Sequence, residues 1–172
     1  ASFKYGEDWR KSFNIGAPLN TEVNEGGHSL TPDGNAMFFT ICDQYGFYGK
    51  GRVGHGSCDI FVAFLRDGKW SKPKNLGPKL NHRAHDAQPS MSSDGRTLYF
   101  SSTRPGGYGE NDIYVSKLTS SGWSTPQNLG GIINTPGREE VVFIHPDGQT
   151  LYFSSDGHPG LGDNDIFMSK KQ

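Results

Sequence analysis

An eleven-residue phrase that recurs along the chain is the feature that most constrains its fold. SSDGRTLYFSS begins at Ser92, HPDGQTLYFSS begins at His145, and a looser copy, TPDGNAMFFTI, begins at Thr31. The second and third copies are 53 residues apart, as are the landmarks around them, and the first and second copies are 61 residues apart. A period of this length indicates stacked supersecondary units, each unable to bury its apolar face alone.

Within each unit the side chains alternate with a period of two, which predicts β-strands. In TLYFSS, Leu98 and Phe100 point to one side of the strand and the residues between them to the other. Each unit contains four short segments of this kind, a (AQPSMS), b (TLYFSST), c (DIYVSKL) and d (WSTPQNL), joined by turn sequences. We therefore predict an all-β fold, a β-propeller built of four-stranded antiparallel blades.

The whole chain, residues 1–172, is predicted to be one propeller segment with three strand sets, 9–69, 70–122 and 123–172, each in the order d-a-b-c. Three blades are too few to close a ring, because propellers typically have ~4–8 blades. Either the chain is part of a longer propeller of about six blades, or two chains pair into a ring of six. The strand d at the start favours the longer propeller, because it looks like the remainder of an upstream blade.

One long pattern carries a resemblance to a known family. QPSMSSDGRTLYFSSTRPGGYGENDIYVSKLTSSGWSTPQNLGGIINT resembles the WD-repeat-like β-propeller repeat of bacterial envelope proteins. Its relatives include the TolB propeller and the propellers of OmpA-family lipoproteins in Bacteroidota. The resemblance covers almost the whole chain. It implies a bladed, non-catalytic module in the periplasm or at the outer membrane that serves as a scaffold in a larger assembly.

Three kinds of repeated residue are predicted to serve the blades themselves. Turn aspartates accept hydrogen bonds from their own Asp-Gly turns, and aspartates that begin strand c satisfy N–H groups of the preceding loop. Calcium binding at Asp112 and Asp165 is the alternative. The tryptophans are predicted to pack at blade edges, with an aromatic platform for sugars as the alternative. These residues are Asp33, Asp94 and Asp147 in the turns, Asp59, Asp112 and Asp165 in strand c, and Trp9, Trp70 and Trp123 in strand d.

The b–c loop of the first unit is eight residues longer than the other two and holds both cysteines of the chain, Cys42 and Cys58. A disulfide between them would stabilise the loop by ~3 kcal/mol and would indicate an oxidising compartment. Free thiols and a zinc site that includes His55 are the alternatives. The loop also offers aromatic contact residues, whose alternative role is a small aromatic core that holds the loop down: Tyr45, Phe47 and Tyr48.

The acids that precede strand a are candidates for a binding site at the mouth of the central channel. Glu25, Asp86 and Glu139 each lie eight residues before a turn aspartate, and His28 and Gln88 lie close to them. Strand a lines the channel of a propeller, so these side chains would offer a mildly acidic mouth to a cationic group, a metal or a sugar. In the alternative interpretation each acid ties the d-to-a connection to the next blade.

The composition excludes several classes of function. The formal net charge is −1 without a basic cluster, so no nucleic-acid partner is predicted, and no apolar run approaches the ~20 residues of a transmembrane helix. No catalytic motif or cofactor-binding loop is present, so we predict a non-enzymatic scaffold whose partners are other envelope proteins or the remaining blades of its own propeller. The alternatives are a propeller that binds carbohydrate or peptidoglycan fragments and, less favoured, a glycoside hydrolase with paired carboxylates.

Overall fold

The chain forms a stack of antiparallel β-sheets. The computed structural model describes residues 4–5, 8–9 and 11–172, and every regular element in these ranges is a β-strand. The strands, in chain order, are β1 (Lys4–Tyr5), β2 (Asp8–Trp9), β3 (Asn24–Leu30), β4 (Ala36–Cys42), β5 (Cys58–Arg66), β6 (Lys69–Trp70), β7 (Lys74–Asn75), β8 (Asp86–Met91), β9 (Thr97–Ser102), β10 (Asp112–Thr119), β11 (Gly122–Trp123), β12 (Gln127–Asn128), β13 (Glu139–Ile144), β14 (Thr150–Ser155) and β15 (Asp165–Lys170).

Each repeat supplies strands a, b and c of one propeller blade. Blade 1 contains β3 to β7, blade 2 contains β8 to β12, and blade 3 contains β13 to β15, with strands a, b and c adjacent in that order. The fourth strand of blades 1 and 2 comes from the following repeat, as the d-a-b-c order of the sequence requires. In the part of the chain that the structure describes, blade 3 has no fourth strand.

Strand d differs from the single strand that the sequence predicted. In blade 1 it is two short strands, β6 and β7, that pair with different parts of β5, and in blade 2 β11 and β12 pair with β10 in the same way. Pro73 and Pro126 lie in the gaps between the two halves. Proline has no N–H to donate to the ladder, so pairing is interrupted there and resumes beyond it.

The blades pack face to face, and the alternation along each strand divides the core between two interfaces. Phe38 and Ile60 of blade 1 pack with Leu98 and Phe100 of blade 2, while Tyr99, on the opposite face of blade 2, packs against blade 3. Neighbouring strands a lie side by side, with β3 against β8 and β8 against β13. The period-two pattern of the sequence is thereby confirmed.

Serine side chains join neighbouring strands a across the stack. The amide of Met91 donates to Oγ of Ser29 (2.9 Å), and the amide of Ile144 donates to Oγ of Ser90 at the corresponding position one blade further (3.0 Å). The third residue of this series is Phe143, whose side chain is 51% exposed. At this position blades 1 and 2 each offer a serine hydroxyl to the next blade, whereas blade 3 offers the exposed ring of Phe143.

The outer face of blade 3 is apolar and open. Ile166 and Met168 are 83% and 63% exposed, whereas Ile113, which corresponds to Ile166 in blade 2, is fully buried against blade 3. A contiguous apolar sheet face of this kind is typical of a surface that binds another protein element. The described residues include no helix long and apolar enough to cross a membrane.

Candidate interaction face formed by the b–c loops

The aspartate that begins each strand c closes the b–c loop in front of it. Asp59 accepts hydrogen bonds from the amides of His55 (2.6 Å) and Gly56 (3.1 Å) and from Nδ2 of Asn75 in strand d (2.7 Å). The donors to Asp112 are the amides of Tyr108 (2.6 Å) and Gly109 (3.1 Å) and Nδ2 of Asn128 (2.7 Å). Burial raises the pKa of Asp59, and these bonds act in the opposite direction. These contacts agree with the interpretation in which the strand-c aspartates accept hydrogen bonds from N–H groups of the preceding loop.

The calcium alternative at Asp112 and Asp165 gains no support from the geometry. Asp165 accepts from the amides of Leu161 and Gly162, so its loop closes like that of the other two blades. Among the described residues, no three side chains of His, Cys, Asp or Glu come together as a metal site would require. The residues are arranged to satisfy backbone amides.

Two asparagines attach strand d to strand c in blades 1 and 2. Asn81 is 1% exposed, and its side chain accepts from the amide of Ile60 (2.9 Å) and donates to the Ile60 carbonyl (2.9 Å). It also donates to Oδ1 of Asn75 (2.8 Å). Asn134, Ile113 and Asn128 repeat these three bonds in blade 2, at 2.8, 3.0 and 2.8 Å. We call each such pair an asparagine clasp.

The strand-a acids are buried and bonded within the chain. The carboxylates of Asp86 and Glu139 are fully buried, and that of Glu25 is 10% exposed. Glu25 accepts from both the amide and the hydroxyl of Thr21 (3.0 and 2.6 Å), and Glu139 has the same two bonds to Thr135. The structure therefore favours the interpretation in which each acid ties the d-to-a connection to its blade.

The other two residues predicted at the channel mouth lie on strand a near its bulge. His28 is exposed, and Gln88 is half-buried with a positive φ of 54°, a conformation that is uncommon outside glycine. The side chain of Gln88 extends toward Gly27 of the neighbouring blade, where a Cβ atom would lie 2.7 Å from the Gln88 Oε1 atom. Neither residue forms a pair with a strand-a carboxylate.

A cationic or imidazole side chain from each b–c loop binds the d-to-a connection, and the sequence reading missed this feature. Nη2 of Arg52 donates to the carbonyl of Leu19 (2.8 Å), Nη2 of Arg104 to that of Leu80 (2.9 Å), and Nε2 of His158 contacts that of Ile133 (2.8 Å). Arg52 also pairs with Glu25 (2.7 Å), and Arg104 pairs with Asp86 (2.6 Å). The three residues lie at unequal offsets in their loops, so alignment by period does not reveal them.

The long loop of blade 1 is fixed at both ends and in its middle. Cys42 and Cys58 form the predicted disulfide and face each other at the ends of β4 and β5. Tyr48 is buried, packs against Phe61 with ring centroids 6.1 Å apart, and donates its hydroxyl proton to the Gly56 carbonyl. Burial raises the pKa of this hydroxyl. Tyr48 is therefore not an exposed contact residue, and the alternative prediction of an aromatic core applies to it.

The tips of the three b–c loops carry exposed apolar side chains on one face of the stack. The b–c loops of blades 1 and 2 bind the d-to-a connection of the next blade, through Ser57 N to Ala84 O and Glu110 N to Gly137 O, so the three loops lie on a continuous surface. We call this surface the b–c face. Its exposed apolar residues are Tyr45 (101% exposed), Phe47 (44%), Val53 (73%), Tyr108 (57%) and Leu161 (103%).

The turn aspartates and the tryptophans belong to other parts of the blades. Asp147 accepts from the hydroxyl of Thr150 (2.7 Å) and from two amides, and these bonds lower its pKa. Asp33 and Asp94, in the equivalent turns, also have lowered pKa values. Trp70 and Trp123 are half-buried: Trp123 packs at the interface of blades 1 and 2, and Trp70 packs on the opposite face of blade 1, whereas Trp9 is 73% exposed.

Comparison with known proteins shows that this architecture resembles solved β-propellers. No protein-family model and no curated protein matches the sequence. The putative TolB of Agrobacterium tumefaciens superposes with a TM-score of 0.60 at 18% identity, over 88% of this chain and 47% of the other. TolB of Acinetobacter baumannii gives 0.51 at 16% identity (86% and 30% coverage), and the periplasmic gluconolactonase PpgL of Pseudomonas aeruginosa gives 0.51 at 19% (83% and 38%). The chain thus spans less than half of each neighbour's length, and its fold is that of a TolB-like β-propeller.

Proposed function

We propose that this chain is a non-catalytic interaction module, a propeller scaffold of a bacterial cell-envelope assembly that binds a partner protein through the b–c face. The observation that carries the proposal is the set of exposed apolar loop tips on anchored loops. Tyr45 and Leu161 are fully exposed, yet the loops that carry them are fixed by the disulfide, by the hydrogen bond from Arg52 to the Leu19 carbonyl, and by the strand-c aspartates. Apolar side chains on a preordered surface lose little entropy on binding.

A location outside the cytoplasm is part of this proposal. The Cys42–Cys58 disulfide supports it, because disulfides persist in oxidising compartments and are rare in the cytosol. The structural neighbours support it as well, since one of them is described as a periplasmic enzyme and two as TolB.

The use of the carboxylates supports a non-enzymatic role. A glycoside hydrolase needs two carboxyl groups that reach the substrate, one of which holds or accepts a proton. Glu25, Asp86 and Glu139 are instead bonded to donors of their own connections and loops. Glycoside turnover that disappears in the Glu25→Gln or Asp86→Asn variant would contradict this part of the proposal.

Site-specific photo-crosslinking tests the interaction face. A photoreactive phenylalanine analogue is placed at Tyr45 or Leu161, and for control at Leu118, a 40% exposed residue of the c–d hairpin on the opposite side of the blades. With an envelope fraction of the source cells, we expect one adduct of defined mass from positions 45 and 161 and none from 118. Equal labelling at all three positions, or none at any, would refute the assignment of the face.

A carbohydrate ligand is the second candidate, because Tyr45 and Tyr108 expose aromatic rings of the kind on which sugars stack. A thermal-shift screen with peptidoglycan fragments and a saccharide panel distinguishes it from the first. A shift that is abolished by Tyr45→Ala and Tyr108→Ala would favour the glycan ligand. The absence of a shift with any saccharide leaves the protein partner as the assignment.

A further inference from the structure

The boundary between blades 1 and 2 carries a group of cationic and imidazole side chains on the b–c face. Both blades have all four strands in this chain, so the surface at this boundary is complete. We propose that it binds an acidic segment of the partner protein, a short run of aspartate or glutamate side chains. This inference rests on the proposed function of the b–c face and adds the chemistry of the partner. We call the site the cationic patch and define it by His55, Lys79, His82, Arg83 and His85.

Two segments of the chain come together to form the cationic patch. The end of the blade 1 b–c loop runs beside the connection that enters blade 2, where the amide of Ser57 donates to the carbonyl of Ala84 (3.2 Å). The backbones approach so closely that a Cβ atom at Gly56 would lie 2.8 Å from the carbonyl oxygen of His82. The sequence alone showed no basic cluster, because the patch is assembled from two segments and three of its five residues are histidine.

The next repeat shows where the loop residue of the patch lies. Tyr108 corresponds to His55, because each donates its amide to the aspartate that begins strand c (2.6 Å in both blades). The Tyr108 ring lies against the turn that precedes the connection, at Gly131, where a Cβ atom would be 2.8 Å from the ring. The equivalent turn one blade earlier contains Lys79 and therefore lies beside His55.

The patch is not paired within the described part of the chain. No hydrogen bond or ion pair joins any of its five side chains to another described residue. Four of them are exposed and His85 is half-buried. The acids next to the patch in sequence, Asp59 and Asp86, are fully buried and bonded elsewhere. Asp59 accepts from two loop amides and from Asn75, and Asp86 pairs with Arg104.

The boundary between blades 2 and 3 serves as an internal comparison. At the five equivalent positions it has one charged residue, Arg138, whose Nε atom is 2.9 Å from Asp156 and 4.0 Å from Glu110. The residue equivalent to Asp156 in blade 2 is Thr103, whose hydroxyl accepts from the amide of His85 (3.1 Å) and carries no charge. Unpaired positive charge is therefore a property of one boundary and not of the repeat. The five equivalent positions are Tyr108, Ile132, Thr135, Pro136 and Arg138.

The size of the patch selects the kind of anion. Lys79 and Arg83 are positively charged at neutral pH, and each imidazole presents an N–H group in either protonation state. Such a set can bind a few carboxylates through charge-assisted hydrogen bonds. It is too small for a lipid surface, which takes about four to eight basic residues, or for a nucleic acid, with about six to ten phosphate contacts. Val53, two residues from His55 and 73% exposed, adds an apolar contact for a protein segment.

Binding of fluorescein-labelled octaglutamate tests the charge of the patch directly. We expect saturable binding to the 172-residue chain that weakens as salt rises from about 0.1 M to about 0.5 M, because salt screens the charges. Lys79→Glu combined with Arg83→Glu should weaken binding at least tenfold. The neutral pair Lys79→Gln and Arg83→Gln should weaken it at least threefold.

The same blade offers a matched control. Arg66→Glu combined with Lys69→Glu changes the net charge by the same amount, at exposed and cross-strand-paired positions of the c–d hairpin on the opposite side of the blades. This variant should bind octaglutamate within twofold of the parent chain. All of the substituted residues are exposed, so the melting temperatures of the variants should match that of the parent.

Carbodiimide crosslinking locates the bound peptide. The reagent joins a carboxylate to a lysine amine, so mass spectrometry should identify Lys79 as the main site of attachment and should find no octaglutamate on Lys69. A neutral peptide of the same length in which glutamine replaces glutamate should neither bind nor compete.

Three results would overturn the proposal. They are no binding of octaglutamate, equal weakening in the two charge-reversal variants, and tighter binding of phosphatidylglycerol vesicles or of a DNA duplex, which would assign the patch to a membrane or a nucleic acid. Photo-crosslinking from Leu161 separates this proposal from the one on which it rests. An adduct that survives Lys79→Glu with Arg83→Glu keeps the b–c face and rejects the acidic segment. Patch-dependent peptide binding without any adduct supports the acidic ligand and contradicts the proposed function.

Discussion

The asparagine clasp makes a quantitative prediction about stability. Asn81→Ala removes the side-chain acceptor of the Ile60 amide and one of the two donors to the Ile60 carbonyl, which keeps its bond from the Leu76 amide (3.2 Å), and Ile60 is fully buried. A buried polar group left without a hydrogen bond costs about 1–3 kcal/mol. The Ile60 amide is the group left without its side-chain acceptor, so the variant should lower the free energy of unfolding by roughly 1–3 kcal/mol.

The chain contains its own controls for this variant. Asn134→Ala should cost the same as Asn81→Ala, because Asn134 makes the same two bonds to the backbone of Ile113. Asn20→Ala should cost only about 0.5–1 kcal/mol, since Asn20 bonds to the exposed side chain of Asn14 and to no strand c among the described residues.

Equilibrium unfolding in guanidinium chloride measures all three variants. The midpoint should shift while the dependence on denaturant stays constant, which shows that the folded and unfolded states are otherwise unchanged. If Asn81→Ala and Asn20→Ala shift the midpoint equally, the clasp does not derive its strength from the backbone of strand c.

Three other perturbations have defined outcomes. Replacing Cys42 and Cys58 by alanine should cost about 3 kcal/mol in denaturant unfolding and should make stability indifferent to reductant, whereas the parent chain loses the same amount when reduced. Arg104→Ala should cost about 3–5 kcal/mol because it leaves a buried carboxylate without its ion-pair partner, while Arg138→Ala, at a solvent-accessible pair with Asp156, should cost much less. The pKa of Asp147 is lower in the folded than in the unfolded chain, so its carboxylate stabilises the fold above about pH 4, and this stabilisation is lost as the pH falls through the pKa of the folded state. Asp147→Asn should therefore reduce the loss of stability at acid pH. An unchanged loss would contradict the assignment of a lowered pKa to Asp147.

Features that depend on repeat spacing and strand alternation were predictable from the sequence. The period placed Asp59 and Asp112 at the same point of successive blades, and the alternation placed Leu98 and Phe100 on one face of their strand and Tyr99 on the other. Local chemistry that repeats is visible in a single chain because the chain provides its own comparison.

Features that depend on tertiary contact were less accessible. Pro126 divides strand d, although the pattern around it suggested one continuous strand. The aromatic residues of the long loop looked alike in sequence, yet Tyr48 is buried and Tyr45 is fully exposed. Arg52 reaches Glu25 from within an insertion that has no counterpart in the other repeats, so no spacing rule could pair them.

The serine series along strand a gives the stack a direction. Ser29 and Ser90 each offer an oxygen to the amide of the following blade, but Phe143 offers a ring at that place. The open side of blade 3 therefore presents a phenyl ring at the position where blades 1 and 2 present a hydroxyl acceptor to the neighbouring blade. Copies of the repeat are consequently not interchangeable parts: shuffling their order would place a phenyl group under an interior N–H and leave that donor unsatisfied.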